Sequence, residues 1–200
     1  MNNNLIITIG REYGTGGREI GQKLALRLGI PFYDRELITR AAKKTGFDEK
    51  LFEQLDKRAT NSFLYSLTMF GSVGLNGMSL TDQLYLAQSN VIREMAEESS
   101  CVIVGRCADY ILQDKAKCLK VFIHADMAFR AKRIVEVYGE REQSPEQRLR
   151  DKDKRRAAYH RFYTNMKWGY AQNYHITLDS GELGIDKCAD IIADLYKSRA

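Results

Sequence analysis

The sequence predicts a three-layer α/β domain on a five-stranded parallel sheet, and two observations predict it. Five short apolar runs, Leu5–Ile9, Phe32–Tyr33, Cys101–Val104, Leu119–Ile123 and His175–Leu178, scarcely alternate with polar residues, as strands buried on both faces do. Segments of helical spacing lie between them, and strand–helix alternation is the pattern of a parallel sheet covered on both sides. With 200 residues the chain is long enough to enclose one core, so residues 1–200 read as a single domain.

The elements follow in order. Arg18–Leu28 sets Ile20, Leu24 and Leu28 on one helical face, and Gly29 stops it. Pro31 leads into Phe32–Tyr33, after which Asp34 is placed to cap a helix over Arg35–Lys44, with Leu37, Ile38 and Ala41 inward. Ala59–Ser79 is irregular, and its "FGSVGLNGMS" carries three glycines, so a mobile loop or insertion is expected. Its Phe63, Leu64, Tyr65, Leu67, Met69 and Phe70 are too apolar for open solvent. They are expected to bury against the domain or a second copy of the chain, giving a homo-oligomer. Asp82–Glu98, Asp126–Val137 and Ile185–Lys197 have helical patterns. Ser144-Pro145-Glu146-Gln147 reads as a helix start, with a cap, a proline at the first position and Gln147 at the capping-box position.

Composition narrows the function classes. Hydrophobic residues make up 44% and charged residues 28%, as in soluble globular proteins. No apolar run reaches the roughly 18–20 residues that span a bilayer. Met1–Asn4 lacks the basic head and apolar core of a signal peptide, so a cytoplasmic protein is expected. Cys101, Cys107, Cys118 and Cys188 show no C-x-x-C spacing and read as reduced thiols. His124, His160 and His175 form no ligand spacing, so no metal bound by protein side chains is expected. The net charge of +5 is concentrated: Arg130–Lys167 holds twelve Lys/Arg against six Asp/Glu. That field suits nucleotide phosphates or nucleic acid, or it is a solvated basic helix.

Gly10, Gly14, Gly16 and Gly17 lie between the first strand and the first helix. Glycines there let backbone amides converge on phosphate oxygens, and the helix N-terminus adds positive potential. The candidate phosphate loop is Gly14, Thr15, Gly16, Gly17 and Arg18. It departs from G-x-x-x-x-G-K-[ST] and comes closest to G-x-G-K-x-[ST], with Gly17 at the lysine position and Glu19 at the hydroxyl position. The cation that follows the β- and γ-phosphates is therefore missing, as is a hydroxyl for magnesium. Arg18 or Arg11 is near enough in sequence to supply charge. A tight strand–helix turn without a ligand is the alternative.

These residues, taken with six later segments, resemble the cytidylate kinase-like family of nucleoside monophosphate kinases, nearly throughout the chain except Ala59–Ser79. "LGIPFYDRELITR" is similar to the family's Asp-Ser-Gly-x-x-x-Arg acceptor segment, with Asp34 and Arg40 in place and Arg35-Glu36 replacing Ser-Gly. "VIVGRCADY" resembles its Asp-Gly-Arg-Asp, with Arg106 retained and Val104 and Cys107 replacing the aspartates. "FIHAD" and "AFRAKRI" are similar to the strand and lid opening, with Arg130 and Arg133 at the arginine places. "RDKDKRRA" resembles the lid's return helix through Arg150, Asp153 and Arg156, with one residue fewer between the first two. "ITLDSGELGIDKCADII" is similar to the last strand, turn and helix.

The resemblance implies a P-loop kinase-like fold with a helical acceptor-binding region over about 34–98, containing the variable loop 59–79, and a basic lid over about 130–167. It implies transfer from ATP with Mg2+ to a nucleoside monophosphate, CMP- or dCMP-like, or to a related phosphorylated acceptor. In that reading Arg18, Arg130, Arg133, Arg150, Asp153 and Arg156 serve catalysis, while Asp34, Arg40 and Arg106 hold the acceptor. The missing lysine and hydroxyl motivate an alternative, a nucleotide- or phosphometabolite-binding protein that has lost chemistry. RNA binding through "AAYHRFYTNMKWGYAQNYHI" and the basic segment is the weakest reading, because no RNA-binding signature accompanies it.

Overall fold

Ile6–Arg11 forms the central strand, β1, because its apolar side chains fill both faces of a sheet: Ile6, Ile7 and Ile9 are fully buried. The structure, a computed structural model, describes residues 4–34, 37, 40, 44, 80–114, 117–139 and 144–199. The other elements are α1 (Gly17–Leu28), β2 (Phe32–Tyr33), α2 (Leu80–Glu98), β3 (Cys101–Val104), α3 (Ala108–Ile111), β4 (Cys118–His124), α4 (Met127–Glu136), α5 (Pro145–Thr164), β5 (Ile176–Asp179), α6 (Ser180–Leu183) and α7 (Ile185–Lys197). All strand pairs are parallel, in the order β2-β3-β1-β4-β5. The expected five-stranded parallel sheet is present.

Two cores make the outer layers. On one face Ile7, Ile9, Val102 and Val121 meet Ile20, Leu24 and Ala25 of α1 and Cys188, Ala189 and Ile192 of α7. On the other, Ile6 and Ile103 meet Leu84, Val91, Ile92 and Met95 of α2 and Ala108 and Ile111 of α3. Burying each large aliphatic side chain contributes about 1.5–3 kcal/mol, so these two layers hold the sheet rigid. All four cysteines are buried and free. No described helix is long and apolar enough to cross a membrane.

Several boundaries depart from the sequence reading. β1 runs two residues further than Ile9, pairing Gly10 with Phe122 and Arg11 with Ile123, which builds Arg11 into the sheet. Asp126 stands before its helix as the cap, accepting from the Phe129 amide at 2.8 Å. Ser144 is the N-cap of α5, but its hydroxyl donates to the Glu146 carboxylate at 2.7 Å. The expected capping box with Gln147 is not made, since the Ser144 oxygen accepts from no first-turn amide. The Leu37 amide donates to the Asp34 carbonyl, and Leu37 is fully buried as expected. Ile38, Ala41 and the whole 59–79 segment, with the oligomer expectation placed on it, lie outside the described residues.

Candidate active site

The glycine loop runs from the end of β1 to the start of α1, at the carboxyl end of the sheet where α/β ligand sites form. Three hydrogen bonds shape it. Glu12 N donates to Ile123 O at 3.0 Å. The buried Thr15 hydroxyl donates to Glu12 O at 2.9 Å, and Ser180 Oγ, just past β5, donates to Thr15 O at 2.7 Å. Gly14 and Gly16 have φ of 83° and 77°, which a side chain would strain. Gly16 is the N-cap of α1 and has no side chain to cap it; the Thr15 hydroxyl accepts from the Gly17 amide at 3.3 Å, and the first turn faces the loop with its positive end. A methyl on Gly16 would also collide with Ile185 Cδ1. Gly16→Ala is therefore expected to cost roughly 1–3 kcal/mol, measured by urea denaturation.

Beside the loop lies a cavity of about 270 Å³. Arg11, Arg106, Lys152, Arg155 and Arg156 reach it, with Asp34 and Asp109 as its acids. Three successive left-handed residues, Gly105 (φ 80°), Arg106 (60°) and Cys107 (54°), turn the chain out of β3 and present Arg106 at the opening of α3. Holding two non-glycine residues in that region costs free energy, and such strain concentrates where a side chain must be aimed. Burial, then the neighbouring Arg156 and Arg106 charges, lowers the Arg11 pKa to about 9, while Asp34 opposes the shift. Burial also lowers the pKa of Arg156, offset by Asp153. Clustered, desolvated cations of this kind repel one another, and a multivalent anion would neutralise them.

The expected lid arginines have a different setting. Arg130 is 6% exposed, its Nη1 donates to Asp153 Oδ2 at 2.6 Å, and its Nε is 3.6 Å from Glu12. Asp153 Oδ1 accepts from the Tyr13 amide at 2.7 Å, and Arg130 Nη1 also reaches Tyr13 O at 3.3 Å. Arg156 Nη1 donates to Arg11 O at 3.1 Å and its guanidinium packs 5.1 Å from the Tyr13 ring centroid. Arg133 pairs with Glu19, the residue at the hydroxyl position of the loop. Thus α4 and α5 are joined to each other by the buried Arg130–Asp153 pair and fastened to the loop by hydrogen bonds and by the Arg130–Glu12 pair.

The structure gathers Asp34, Arg106 and Arg156 at the cavity, and sets Gly14–Gly17, Arg130, Arg133 and Asp153 around the loop. Arg18 is exposed and its Nε donates to Asp34 Oδ2 at 2.7 Å. Arg40 is exposed with its guanidinium 5.4 Å from the Tyr33 ring centroid, and Arg150 is exposed on α5; neither is among the cavity's lining residues. Asp109, His160, Trp168 and Tyr174 line the cavity although the sequence reading gave them no role. Asp109 brings a carboxylate two residues after Cys107, where the resemblance had recorded a lost aspartate. His160 Nε2 lies 3.1 Å from Asp109 Oδ2, and its Nδ1 lies 3.1 Å from Thr164 Oγ1. Those contacts span 51 residues for the first pair, and no local pattern announces them.

ATP and magnesium fit this site unequally. The α1 terminus, the positive-φ glycines and the cationic cavity suit a polyphosphate. For magnesium, the hydroxyl position is Glu19, committed to Arg133, and among the described residues no group of three or more His, Cys, Asp or Glu could hold a metal. The metal therefore has no evident protein cage here.

The comparisons agree with this architecture. No curated protein matches the chain. An uncharacterised protein of Eubacterium ventriosum is 31% identical, with a TM-score of 0.72, over 98% of this chain and 99% of that one. Shikimate kinase from Acinetobacter baumannii, solved with shikimate, is 17% identical with a TM-score of 0.52, covering 98% and 95%. A gluconokinase from Sinorhizobium meliloti is 13% identical with a TM-score of 0.53, covering 99% and 97%, and at such identities the likeness is one of fold. The cytidylate kinase-like family model matches residues 6–182, and the chain belongs to that family.

Proposed function

We propose that this protein transfers the γ-phosphoryl group of ATP to a small phosphorylated acceptor, with a nucleoside monophosphate of the CMP or dCMP kind as the expected substrate. Family membership supports phosphoryl transfer as the reaction class. The observation that carries the proposal is the five-cation cavity opening beside the glycine loop. Phosphoryl transfer asks a protein for alignment and charge neutralisation, and guanidinium forks match phosphate oxygens two at a time.

In this reading Gly14–Gly17 and the α1 terminus hold the donor, and Arg106, with Asp34 and Arg40 on the 34–98 side, holds the acceptor. Arg130, Arg133, Asp153 and Arg156 brace the 130–167 region over the loop, with Arg150 at its outer surface. Magnesium arriving with ATP would supply further neutralisation of phosphate charge. The direction of Lys152, Arg155 and Arg156 into a cavity favours a small phosphate ligand over a nucleic-acid strand. A second reading, a phosphate-binding protein without chemistry, rests on the Arg18–Asp34 pair, which occupies the cation next to the missing lysine.

The test is transfer from labelled ATP with Mg2+ to CMP, dCMP, UMP, AMP and GMP, resolved by chromatography. Label in one monophosphate's product, strongest with a cytidine acceptor, is expected. No labelled product at substrate-level protein concentration, with ATP intact, rejects the kinase in favour of the binding protein.

A further inference from the structure

We infer that Arg11, reaching from the strand before the loop, delivers the charge that the loop's absent lysine would carry, bridging donor and acceptor phosphates; this rests on the phosphotransferase reading above. Two glycines far apart in sequence border the Arg11 side chain. A Cβ on Gly17, the residue at the lysine position, would lie 2.7 Å from Arg11 Cβ and 3.0 Å from its Cγ. A Cβ on Gly105 would collide with Arg11 Nη1 and lie 3.2 Å from its Cζ. The Arg11 side chain thus runs through a slot that exists only because neither neighbour has a side chain. The absence of lysine at position 17 and the presence of arginine at position 11 are one steric arrangement.

The slot leads the guanidinium to the cavity shared with Arg106 and Arg156, next to the loop. No hydrogen bond or ion pair joins that guanidinium to a described residue. Nearby cations are committed: Arg18 to Asp34, Arg133 to Glu19 and Arg130 to Asp153. Arg11 is desolvated and repelled by Arg156 and Arg106, yet a pKa near 9 keeps it charged at neutral pH. Asp34 offsets part of that repulsion through space, and a phosphate anion seated in the cavity supplies the direct hydrogen-bonded partner.

During transfer an acceptor phosphate oxygen bonds to the γ-phosphorus as the bond from that phosphorus to the β–γ bridging oxygen breaks, and ADP leaves with the electron pair. Arg11 exchanges no proton. It donates hydrogen bonds to oxygens whose charge is redistributed, a contribution typically worth roughly 100–1000-fold in rate.

The experiment compares wild type, Arg11→Met, Arg11→Ala, Gly17→Lys and the swap Arg11→Ala/Gly17→Lys. Binding of inorganic pyrophosphate is read by calorimetry, transfer by labelled ATP, and folding by thermal melting. Arg11→Met keeps an aliphatic stem in the slot and removes the charge; it is expected to melt near wild type, bind pyrophosphate at least about 10-fold more weakly and lose roughly 100-fold or more in kcat. Gly17→Lys alone collides with the Arg11 stem and gains nothing, whereas the swap regains at least about 10-fold of the rate lost in Arg11→Ala. Unchanged pyrophosphate binding in a folded Arg11→Met protein overturns the assignment, as does a folded swap no faster than Arg11→Ala. If wild type binds pyrophosphate through Arg11 but labels no acceptor, the Arg11 site stands and the kinase reading falls.

Discussion

Asp153→Ala is expected to destabilise the protein by about 3–5 kcal/mol, the largest effect of any single substitution considered, as the midpoint of urea denaturation will show. Asp153 is 17% exposed and Arg130 7% exposed at their side chains, so this ion pair is largely out of water. Removing the carboxylate leaves Arg130 with Glu12 at 3.6 Å as its remaining acidic partner, and its buried Nε already has no hydrogen bond. It also strips the Tyr13 amide of its acceptor. Breaking such a pair costs far more than the pair contributes over an apolar substitute, because a desolvated charge is left behind. Asp153→Asn keeps an oxygen for Tyr13 and is expected to lose less, which separates the amide contact from the charge. A loss below about 1 kcal/mol for Asp153→Ala would mean that α4 and α5 are not fastened to the loop in solution.

Arg106→Gly is expected to separate function from stability. Arg106 adopts φ 60°, where an L side chain costs about 1 kcal/mol or somewhat more, while glycine sits there freely. Glycine's larger unfolded-state entropy offsets much of that gain, so the stability is expected to stay within about 1 kcal/mol of wild type. Phosphoryl transfer is expected to fall roughly 100–1000-fold, the scale for losing one well-placed donor at a reacting phosphate. Melting and initial rates on the same preparations check both halves. A variant that melts near wild type and still transfers at the wild-type rate would place the acceptor phosphate away from Arg106.

The sheet was legible because parallel strands are continuous apolar runs, and Cys101–Val104 and Phe32–Tyr33 needed nothing beyond that pattern. Gly29 and Pro145 announced helix ends through local chemistry, whereas Asp179, in a stretch read as a turn, caps α6 through the Gly181 and Glu182 amides. The extension of β1 to Arg11 was not legible, because Gly10 and Arg11 break an apolar run that β4 continues to pair. The basic segment was visible as a charge density, but density does not say which charges face inward. Arg130 finds Asp153, Arg133 finds Glu19 and Arg18 finds Asp34 across sequence separations of 16 to 114 residues, and only the folded sheet brings them together. The glycine loop was recognisable as a strand–helix turn and candidate phosphate loop, whereas the contact between position 17 and the Arg11 stem required the folded structure.

The most direct measurement is the transfer of label from γ-labelled ATP to CMP by wild type and Arg106→Gly, side by side at matched folded concentrations. The account predicts labelled CDP from wild type and at least about 100-fold less from the variant. Equal rates from the two proteins, or no labelled product from wild type with CMP or any other monophosphate, would contradict it.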